Sequence, residues 1–405
     1  MRKEIGIIGG GFGGIRAALS LAQKKLPDAH ITLISDKSHF EYTPAFYRVV
    51  TGRSPLEVCI PITEIIVNKR ISFINDRIES AHLQPHTLIG SSGKEYRFDH
   101  LVLALGAETS YFGIPGLPNF SYGFKSIQEA QKLKLHIHHL FDSCVVETNP
   151  DEKVCLLNFV VVGGGPSGTE LAGELSFFLK KLSREYKVDQ SLIAIGLMES
   201  TERIVPALPE SVSLRITDRL RHLGVNIFVN RPMTHEKMEE ISVRGLTMKT
   251  ETVIWTAGVK PNSLYSHIPG LETDKKGRVI VDEFLRVKGF EDVYIIGDGA
   301  STLYSGMAQT AISDGASVAE NIARQLSGEL PRRRRSRKPY YAIPIGPGWA
   351  ASSLGSVTFY GRLGLLIRRA ADFRYFLTIL PLKKALAVFR RGKSLCDSCG
   401  ICGTQ

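Results

Sequence analysis

The chain has 405 residues, of which 43% are hydrophobic and 22% charged, an ordinary globular composition with room for two or three domains. Its formal net charge of +11 favours an anionic partner, either nucleic acid or the acidic surface of a membrane. The six cysteines form no disulfide framework, and the N-terminus enters an apolar strand without a cleavable signal segment, so we expect a cytoplasmic protein.

The stretch from Ile5 to Gly14 predicts a buried strand that turns directly into a helix. Its glycines fit the dinucleotide fingerprint, which needs one glycine for a tight turn, one for close approach to a pyrophosphate and one for helix–strand packing. The positive N-terminus of the helix would face that pyrophosphate. We predict a first dinucleotide site with contacts from Gly9, Gly11, Phe12, Gly13 and Gly14.

The same strand–turn–helix pattern recurs from Val160 to Gly168. Because both spacing and context match twice, two glycine turns without ligands are the less favoured alternative. We predict a second dinucleotide site with contacts from Gly163, Gly165, Pro166, Ser167 and Gly168.

An acidic residue at the end of the next strand binds the adenosine ribose in such sites. After the first turn, Ser35 stands at the predicted strand end and Asp36 follows it, so we assign the contact to Asp36, with a solvated turn aspartate as the alternative. After the second turn, Glu199 ends the strand that begins near Leu192. A carboxylate there disfavours a 2′-phosphate, which predicts a preference for NADH over NADPH.

Two further features are candidates for the site, whereas a group of three histidines is not. The aromatic loop from Tyr42 to Tyr47 suits a flat ring, although packing alone also explains it. Glu170 and Glu174 follow the second turn at i and i+4, so they share one helix face, with a solvated face as the alternative. The helix predicted from Gln128 to about Thr148 holds three histidines without metal-site spacing, which we interpret as surface residues.

The C-terminal region is basic and amphipathic. Residues 331–338 predict a solvated basic linker, and from Phe359 to Lys393 leucines and aromatics alternate with arginines and lysines. No uncharged run reaches the roughly 18 residues of a spanning helix, whereas basic helices rich in Leu and Phe lie in a bilayer interface. We predict a membrane-binding segment; packing on the protein's own core is the alternative, disfavoured because so many arginines are hard to bury.

Cysteine placement argues against thiol chemistry. Neither glycine turn has a Cys-x-x-Cys or Cys-x4-Cys pair nearby, so a dithiol mechanism is not expected. Cys396, Cys399 and Cys402 have a spacing that suits iron–sulfur or zinc binding but are one ligand short of the usual four. We predict exposed thiols and no metal site.

Together these motifs resemble the type II NADH dehydrogenases, which are single-subunit NADH:quinone oxidoreductases of the two-dinucleotide flavoprotein superfamily. The resemblance covers roughly residues 3 to 330. It rests on the first glycine turn, residues 43–47, residues 163–175, and the segments 255–258, 296–298 and 308–311. It implies FAD on the first turn, NADH on the second, Asp298 near the flavin ribityl chain and Glu170 near the nicotinamide–flavin junction.

Two positions depart from the family pattern. Ser35 stands where the family usually has an acid, and Ser313 replaces the second glutamine of a quinone-side motif at residues 308–315. The second departure leaves the electron acceptor open. Residues 338–348 resemble instead the quinone reductases similar to apoptosis-inducing factor, a neighbouring branch.

The predicted fold class is α/β, with two Rossmann-like domains, the second inserted in the first, and a C-terminal amphipathic membrane-binding segment. We expect an FAD-binding domain at 1–113 and 286–330, an NAD(H)-binding domain at 114–285, and a basic linker and membrane-association region at 331–405. The remaining predicted cofactor contacts, carried largely by the resemblance, are Asp36, Pro44, Gly106, Asp298, Glu199 and Gly258.

The predicted function is transfer of a hydride from NADH to FAD and then of two electrons to a membrane quinone, without proton pumping. Glu170 and Gln309 are the candidate catalytic residues for positioning or protonation. The expected partners are NADH, quinone and the cytoplasmic face of the cell membrane, bound peripherally, with a homodimer as one option. The alternatives are a flavin-loaded binding or redox-switch protein, for which nucleic acid is the less favoured ligand, and a flavoprotein reductase with a non-quinone acceptor.

Overall fold

The computed structural model describes residues 2–237 and 239–391, which form two compact units. Of these residues, the first unit comprises 2–41, 60–108 and 259–339, and the second comprises 42–59, 109–237, 239–258 and 340–391. Each unit contains one of the two glycine turns.

The strands of the described residues are numbered in chain order. They are β1 Lys3–Ile8, β2 Ala29–Ser35, β3 His39–Glu41, β4 Cys59–Pro61, β5 Ile71–Asn75, β6 Ile78–Leu83, β7 His86–Gly90, β8 Glu95–Arg97, β9 His100–Leu103, β10 Ala107–Thr109, β11 Asn158–Val162, β12 Ala194–Met198, β13 Val225–Phe228, β14 Met233–Lys237, β15 Glu240–Val243, β16 Leu246–Lys249, β17 Thr252–Trp255, β18 Val259–Pro261, β19 Val293–Ile295, β20 Ala342–Pro344, β21 Ala350–Leu354 and β22 Val357–Phe359.

The α-helices of the same residues follow the same order. They are α1 Phe12–Gln23, α2 Phe46–Val50, α3 Ile62–Ile66, α4 Leu117–Phe120, α5 Ile127–Val146, α6 Pro150–Leu156, α7 Pro166–Tyr186, α8 Glu210–His222, α9 Ala308–Leu326, α10 Gly361–Ile379 and α11 Leu382–Arg391.

The first unit is built on a parallel sheet of five strands in the order β19-β9-β1-β2-β5. The central strands β1 and β9 are apolar and buried over residues 5–8 and 101–103, because both faces of a parallel sheet are covered. Helices α1 and α9 pack tightly, and a Cβ on Gly315 would lie 2.4 Å from the Gly13 carbonyl oxygen. Strands β6, β7 and β8 form a separate antiparallel sheet.

The second unit repeats the design with a parallel sheet of four strands in the order β13-β12-β11-β17. Its core includes Val160, Met198 and Trp255, all buried. Two antiparallel sheets, β14-β15-β16 and β20-β21-β22, complete the unit. The repeated parallel sheet followed by a helix confirms the predicted α/β class.

The units divide the chain at other places than the predicted domain boundaries. Residues 259–285 belong to the first unit, because Leu264, Tyr265 and Ile268 are buried in the same core cluster as Ile8 and Leu101. Residues 340–391 belong to the second unit, because α10 packs on β20 and β21. The C-terminal region is therefore part of a compact unit as far as the structure describes it.

Helix α10 differs from an ordinary amphipathic helix because charged residues lie on its buried face. Gly364, Arg368, Asp372, Phe376 and Ile379 are the buried residues of this helix. Leu363, Leu366 and Leu377, which helical spacing places on the opposite side, are 52%, 64% and 41% exposed. We call these three residues the leucine face.

The burial of Arg368 contradicts the expectation that the arginines of this region are hard to bury. Arg368 is only 7% exposed, and it is buried because carboxylates and backbone carbonyls surround its guanidinium, as described below. None of the helices in residues 2–237 and 239–391 combines the length and apolar character needed to cross a membrane.

The histidines of α5 are not all surface residues, contrary to the sequence interpretation. His136 is part-buried and stacks on Tyr122 with ring centroids 4.3 Å apart, while its Nε2 lies 3.0 Å from the Thr252 hydroxyl. His138 is also part-buried, 3.0 Å from the Tyr186 hydroxyl, and only His139 is exposed. Packing of α5 against neighbouring elements, which sequence spacing does not reveal, covers the first two.

Candidate functional site

The first glycine turn joins β1 to α1 in a shape that only glycine permits at two positions. Gly9 has φ +113°, a conformation that side chains rarely adopt. A Cβ on Gly14 would lie 1.9 Å from the Gly9 carbonyl oxygen, so this glycine allows the helix to pack on the turn. Gly11 caps α1 at φ −82°, and a Cβ there would meet no described atom within 4 Å.

The second glycine turn joins β11 to α7 with nearly the same geometry. Gly163 has φ +114°, and a Cβ on Gly168 would lie 2.0 Å from the Gly163 carbonyl oxygen. Gly165 caps α7 at φ −70°, with open space where its side chain would be, and Pro166 occupies the first helical turn. Pro166 and Ser167 are exposed.

These two turns fit the diphosphate of a dinucleotide. Each capping glycine leaves open space directly at a helix N-terminus, where backbone N–H groups and the helix dipole favour a negative charge. Neither α1 nor α7 carries an acidic side chain in its first turn that would repel it. The residues present can therefore hold one dinucleotide in each unit.

The residues at the ribose position differ between the two turns. The Gly163 N–H donates to the Met198 carbonyl, and the Gly9 N–H donates to the Ile34 carbonyl, both at 2.8 Å. By this correspondence Ser35 occupies the place that Glu199 holds in the second unit.

Glu199 is buried beside its glycine turn. Its carboxylate accepts hydrogen bonds from the N–H groups of Gly164 and Thr201, each at 2.8 Å. In the first unit a Cβ on Gly10 would lie 2.8 Å from the Ser35 hydroxyl, whereas Asp36 is exposed one residue further on. The ribose contact of Asp36 stays a prediction, and the geometry makes Ser35 a second candidate that the sequence analysis passed over.

The other predicted contacts of the first unit lie at strand ends and turns. Gly106 has φ +69°, and its carbonyl accepts from the Asn262 N–H at 3.1 Å. Asp298 lies in the 3-10 turn Gly297–Gly299, directly after β19, and is half-buried. Phe12 packs edge-on against Phe40 with ring centroids 5.0 Å apart, and Gln309 is exposed in the first turn of α9.

In the second unit, Pro44, Gly258 and Glu170 have defined surroundings. The Pro44 carbonyl accepts a hydrogen bond from Arg368 Nη2 at 2.6 Å. Gly258 is buried, and a Cβ there would lie 2.5 Å from the Ser110 carbonyl oxygen. Glu170 is 8% exposed on α7, so it does not lie on a solvated face.

Glu170 belongs to a buried charge network of five residues, namely Arg48, Glu57, Glu170, Arg368 and Asp372. Arg48 donates to Glu57 Oε1 at 2.8 Å and to Asp372 Oδ2 at 3.0 Å. Arg368 Nε donates to Asp372 Oδ1 at 3.0 Å, and Arg368 Nη1 lies 3.6 Å from Glu170 Oε1. Two buried guanidinium groups thus face two carboxylates before Glu170 is counted, and a third, of the half-buried Arg369, lies 3.5 Å from Glu57 Oε1.

This balance explains the protonation of Glu170. Burial raises the pKa of Glu170 to about 8. The positive charges of Arg368 and Arg48 act in the opposite direction, but the negative charge of Asp372 offsets part of their effect. For Asp372, burial alone would raise the pKa, but Arg368 and Arg48 hold it below its ordinary value. Burial also raises the pKa of Glu174. Near neutral pH, Glu170 is a carboxylic acid that can donate a proton.

Four residues of this network were not predicted from the sequence, namely Arg48, Glu57, Arg368 and Asp372. One signal was present: Asp372 is the only acidic residue between Phe359 and Lys393, and it lies four residues after Arg368. A single acid in a basic helix, spaced for a pair on one face, indicates a specific partner. Nothing local identified Arg48.

The described cysteines are Cys59, Cys144 and Cys155, and the thiols of Cys144 and Cys155 are free. Burial raises the pKa of Cys155 to about 11 and raises that of Cys144, which disfavours the reactive thiolate. Within residues 2–237 and 239–391, no group of three or more His, Cys, Asp or Glu side chains could hold a metal ion. Cys396, Cys399 and Cys402 lie outside the described residues.

A parallel sheet with a glycine turn in each of two units defines the class of two-dinucleotide α/β oxidoreductases. Residues 3–315 match the pyridine nucleotide-disulphide oxidoreductase family, and the chain belongs to that family.

The chain is similar to curated type II NADH:quinone oxidoreductases, which confirms the resemblance noted in the sequence. It is 29% identical to Ndh of Mycobacterium tuberculosis over 397 residues, covering 93% of this chain and 85% of that protein. It is 28% identical to the enzyme of Staphylococcus haemolyticus over 342 residues, covering 81% of this chain and 84% of that protein.

Solved structures share the fold over nearly the whole chain. NDH2 of Plasmodium falciparum, in complex with NADH, superposes with a TM-score of 0.86 at 18% identity, covering 97% of this chain and 98% of that one. The sulfide:quinone oxidoreductase of Aquifex aeolicus superposes with a TM-score of 0.78 at 20% identity, covering 98% of each chain. At these identities the likeness shows the fold alone.

Proposed function

We propose that this chain is an FAD-dependent NADH:quinone oxidoreductase of the non-proton-pumping type. The observation that carries the proposal is the pair of glycine turns, whose matched geometry fits one dinucleotide in each unit. The curated relatives named type II NADH:quinone oxidoreductases support the choice of substrates. When bound, FAD would supply hydride acceptance from NADH and two-electron transfer to the quinone.

The proposed occupants are FAD on the first turn and NADH on the second. Gly9, Gly11 and Gly14 would hold the FAD diphosphate, and Asp298 and Gly106 would lie along the flavin's chain. Gly163, Gly165 and Gly168 would hold the NADH diphosphate, and Glu199 would bind its ribose. The buried carboxylate of Glu199 supports NADH over NADPH, since it would repel a 2′-phosphate.

The proposed catalytic residues supply positioning and protons. Reduction of a quinone to a quinol consumes two protons, and a buried carboxylic acid whose pKa is about 8 holds its proton at neutral pH yet can release it. This supports Glu170 as a proton donor. The exposed amide of Gln309, at the start of α9, can donate a hydrogen bond to a quinone carbonyl.

In a direct test, the FAD-loaded protein is reduced anaerobically with NADH, and a short-chain quinone is then added. The absorbance of the flavin is followed in both steps. We expect rapid bleaching of the flavin, reoxidation by the quinone, and a Glu170→Gln variant with slower quinone reduction and intact flavin content. Glu185→Gln, an exposed glutamate on the same helix α7, is the control. Release of FMN, or absence of flavin, would contradict the proposal; reoxidation by other acceptors but not by quinone would favour a non-quinone reductase.

A non-quinone acceptor is the second candidate, and Ser313 is the observation that favours it. This residue replaces the second glutamine of the quinone-side motif and is half-buried on α9. Restoring the amide with Ser313→Gln separates the two candidates. A quinone reductase should reduce quinone both as the wild type and as Ser313→Gln, whereas an enzyme for another acceptor should reduce quinone in neither form.

We further propose that the protein binds the cytoplasmic face of the cell membrane peripherally through the leucine face. Three exposed leucines on one side of α10 are flanked by exposed Arg362 and Arg374, which is the pattern of a helix in a bilayer interface. The clustering of leucines among basic residues supports a lipid surface over nucleic acid, whose phosphates need no apolar face.

Point substitutions test this better than truncation, because α10 also carries Arg368 and Asp372 of the buried charge network. We expect Leu363→Ser with Leu366→Ser to weaken co-sedimentation with anionic liposomes and to leave NADH reduction of a soluble acceptor unchanged. The control is Leu214→Ser, a leucine 56% exposed on α8. Unchanged liposome binding, or tight binding of duplex DNA that the substitutions do not affect, would contradict the assignment.

A further inference from the structure

The guanidinium of Arg368 joins four segments that are distant in sequence. It donates to Asp372 on its own helix, to the Ala342 carbonyl of β20 at 2.6 Å and to the Pro44 carbonyl before α2 at 2.6 Å. Its remaining contact is Glu170 of α7, at 3.6 Å. A planar guanidinium held by three hydrogen bonds has a defined orientation, so its charge is fixed relative to Glu170.

Asp372 accepts hydrogen bonds from two further donors besides Arg368. It accepts from Arg48 Nη2 at 3.0 Å and from the Tyr42 hydroxyl at 2.7 Å. The 3.6 Å between Arg368 and Glu170 exceeds a hydrogen bond, whereas the 3.0 Å between Arg368 and Asp372 is one. Arg368 therefore pairs with Asp372 in preference to Glu170. The effect of its positive charge on Glu170 is reduced by the negative charge of Asp372.

We propose that Arg368 and Asp372 are positioning residues of the C-terminal helix that together set the protonation state of Glu170. Arg368 favours the carboxylate of Glu170, and Asp372 restrains that effect by sharing the same guanidinium. The other charged or titratable groups that face Glu170 are Arg48 and Tyr47 of α2 and Glu174 of its own helix. The helix proposed to meet the membrane thus also tunes the proposed proton donor, an inference that rests on the proposed function.

The test titrates Glu170 directly in the FAD-loaded protein. The infrared C=O band of its protonated carboxyl is identified by its loss in Glu170→Gln and followed from pH 6 to 10. Arg368→Gln should raise the pKa of Glu170 by about one unit or more, since it removes a positive charge at ion-pair distance. Asp372→Asn should lower the pKa of Glu170, because Glu170 is then the one carboxylate among the described residues at ion-pair distance from Arg368.

Opposite shifts distinguish this role from a merely structural one. If the two residues only held the fold together, both substitutions would admit water around Glu170 and lower its pKa. Arg374→Gln, on an exposed position of the same helix, should leave the band unmoved. Arg368→Lys keeps the charge and should keep the pKa within a few tenths of a unit, which preserves the test if Arg368→Gln does not fold.

Shifts in the same direction for Arg368→Gln and Asp372→Asn, or no shift in either, would overturn the inference. If Arg368→Gln does not fold and Arg368→Lys is used instead, a large shift of the Glu170 pKa in Arg368→Lys would also overturn the inference. The pH profile of quinone reduction is measured on the same variants. Infrared shifts of the expected signs without a matching change in the profile would leave the inference standing and remove Glu170 as the proton donor of the proposed function.

Discussion

Substitution by alanine should affect Gly14 and Gly11 of the first glycine turn differently: at Gly14 it should lower stability, and at Gly11 it should lower FAD affinity. A methyl group on Gly14 would lie 1.9 Å from the Gly9 carbonyl oxygen, so the backbone must move. Overpacking of this kind costs about 1–3 kcal/mol, or about 2–4 °C in Tm for each kcal/mol in a domain of 150–250 residues. Gly14→Ala should therefore destabilise the protein even without FAD.

Gly11→Ala should leave the apoprotein nearly as stable as the wild type. Gly11 has an ordinary φ of −82°, and its methyl group would meet no described atom within 4 Å, so the expected cost is only that of a poorer helix cap, about 0.5–1 kcal/mol. The methyl group would instead occupy the space into which a pyrophosphate must come. We expect FAD affinity to fall at least about tenfold, or roughly 1.4 kcal/mol.

The assay removes the flavin, measures thermal unfolding of both apoproteins, and then titrates FAD while following quenching of its fluorescence. Gly11→Ala should show a Tm only slightly below that of the wild type but weak FAD binding, and Gly14→Ala should show the larger loss of Tm. Wild-type affinity in Gly11→Ala would refute the close approach of a pyrophosphate to this glycine. An unchanged Tm in Gly14→Ala would refute the steric argument.

Three further outcomes follow from the geometry. Glu199→Gln keeps a hydrogen-bond acceptor but removes the charge, so it should lower the ratio of kcat/KM for NADH to kcat/KM for NADPH roughly tenfold. Glu199→Ala should lower this ratio as well. An unchanged ratio would show that another residue discriminates between the two coenzymes. Ser35→Ala should weaken FAD binding more than Asp36→Ala, and the reverse order would restore Asp36 as the ribose contact. Burial lowers the pKa of His136 in the folded protein to about 4, whereas its pKa in the unfolded chain is near 6.5. The neutral ring therefore contributes fully to stability above about pH 6.5, and this contribution is lost as the pH falls toward 4. Urea unfolding at pH 7 and 5 should show a loss of about 1–2 kcal/mol that is smaller in His136→Phe, and equal losses would exclude this histidine.

Features that depend on neighbouring residues were predictable from the sequence. The glycine turns are recognisable because positive φ at Gly9 and Gly163 and close packing at Gly14 and Gly168 are demands that a few adjacent residues must meet together. The strands before them are recognisable because parallel strands are apolar on both faces. These two rules were enough for the α/β class and for the placement of both glycine turns.

Features that depend on distant partners were decided only by tertiary structure. The leucines and arginines of α10 indicated an interfacial helix, yet the buried position of Arg368 depends on Asp372, on two backbone carbonyls and on Glu170 far earlier in the chain. The covering of His136 likewise depends on Tyr122 and Thr252. A charged side chain can be buried only where opposite charges and acceptors offset its lost hydration, and chain topology, not local spacing, determines which groups those are.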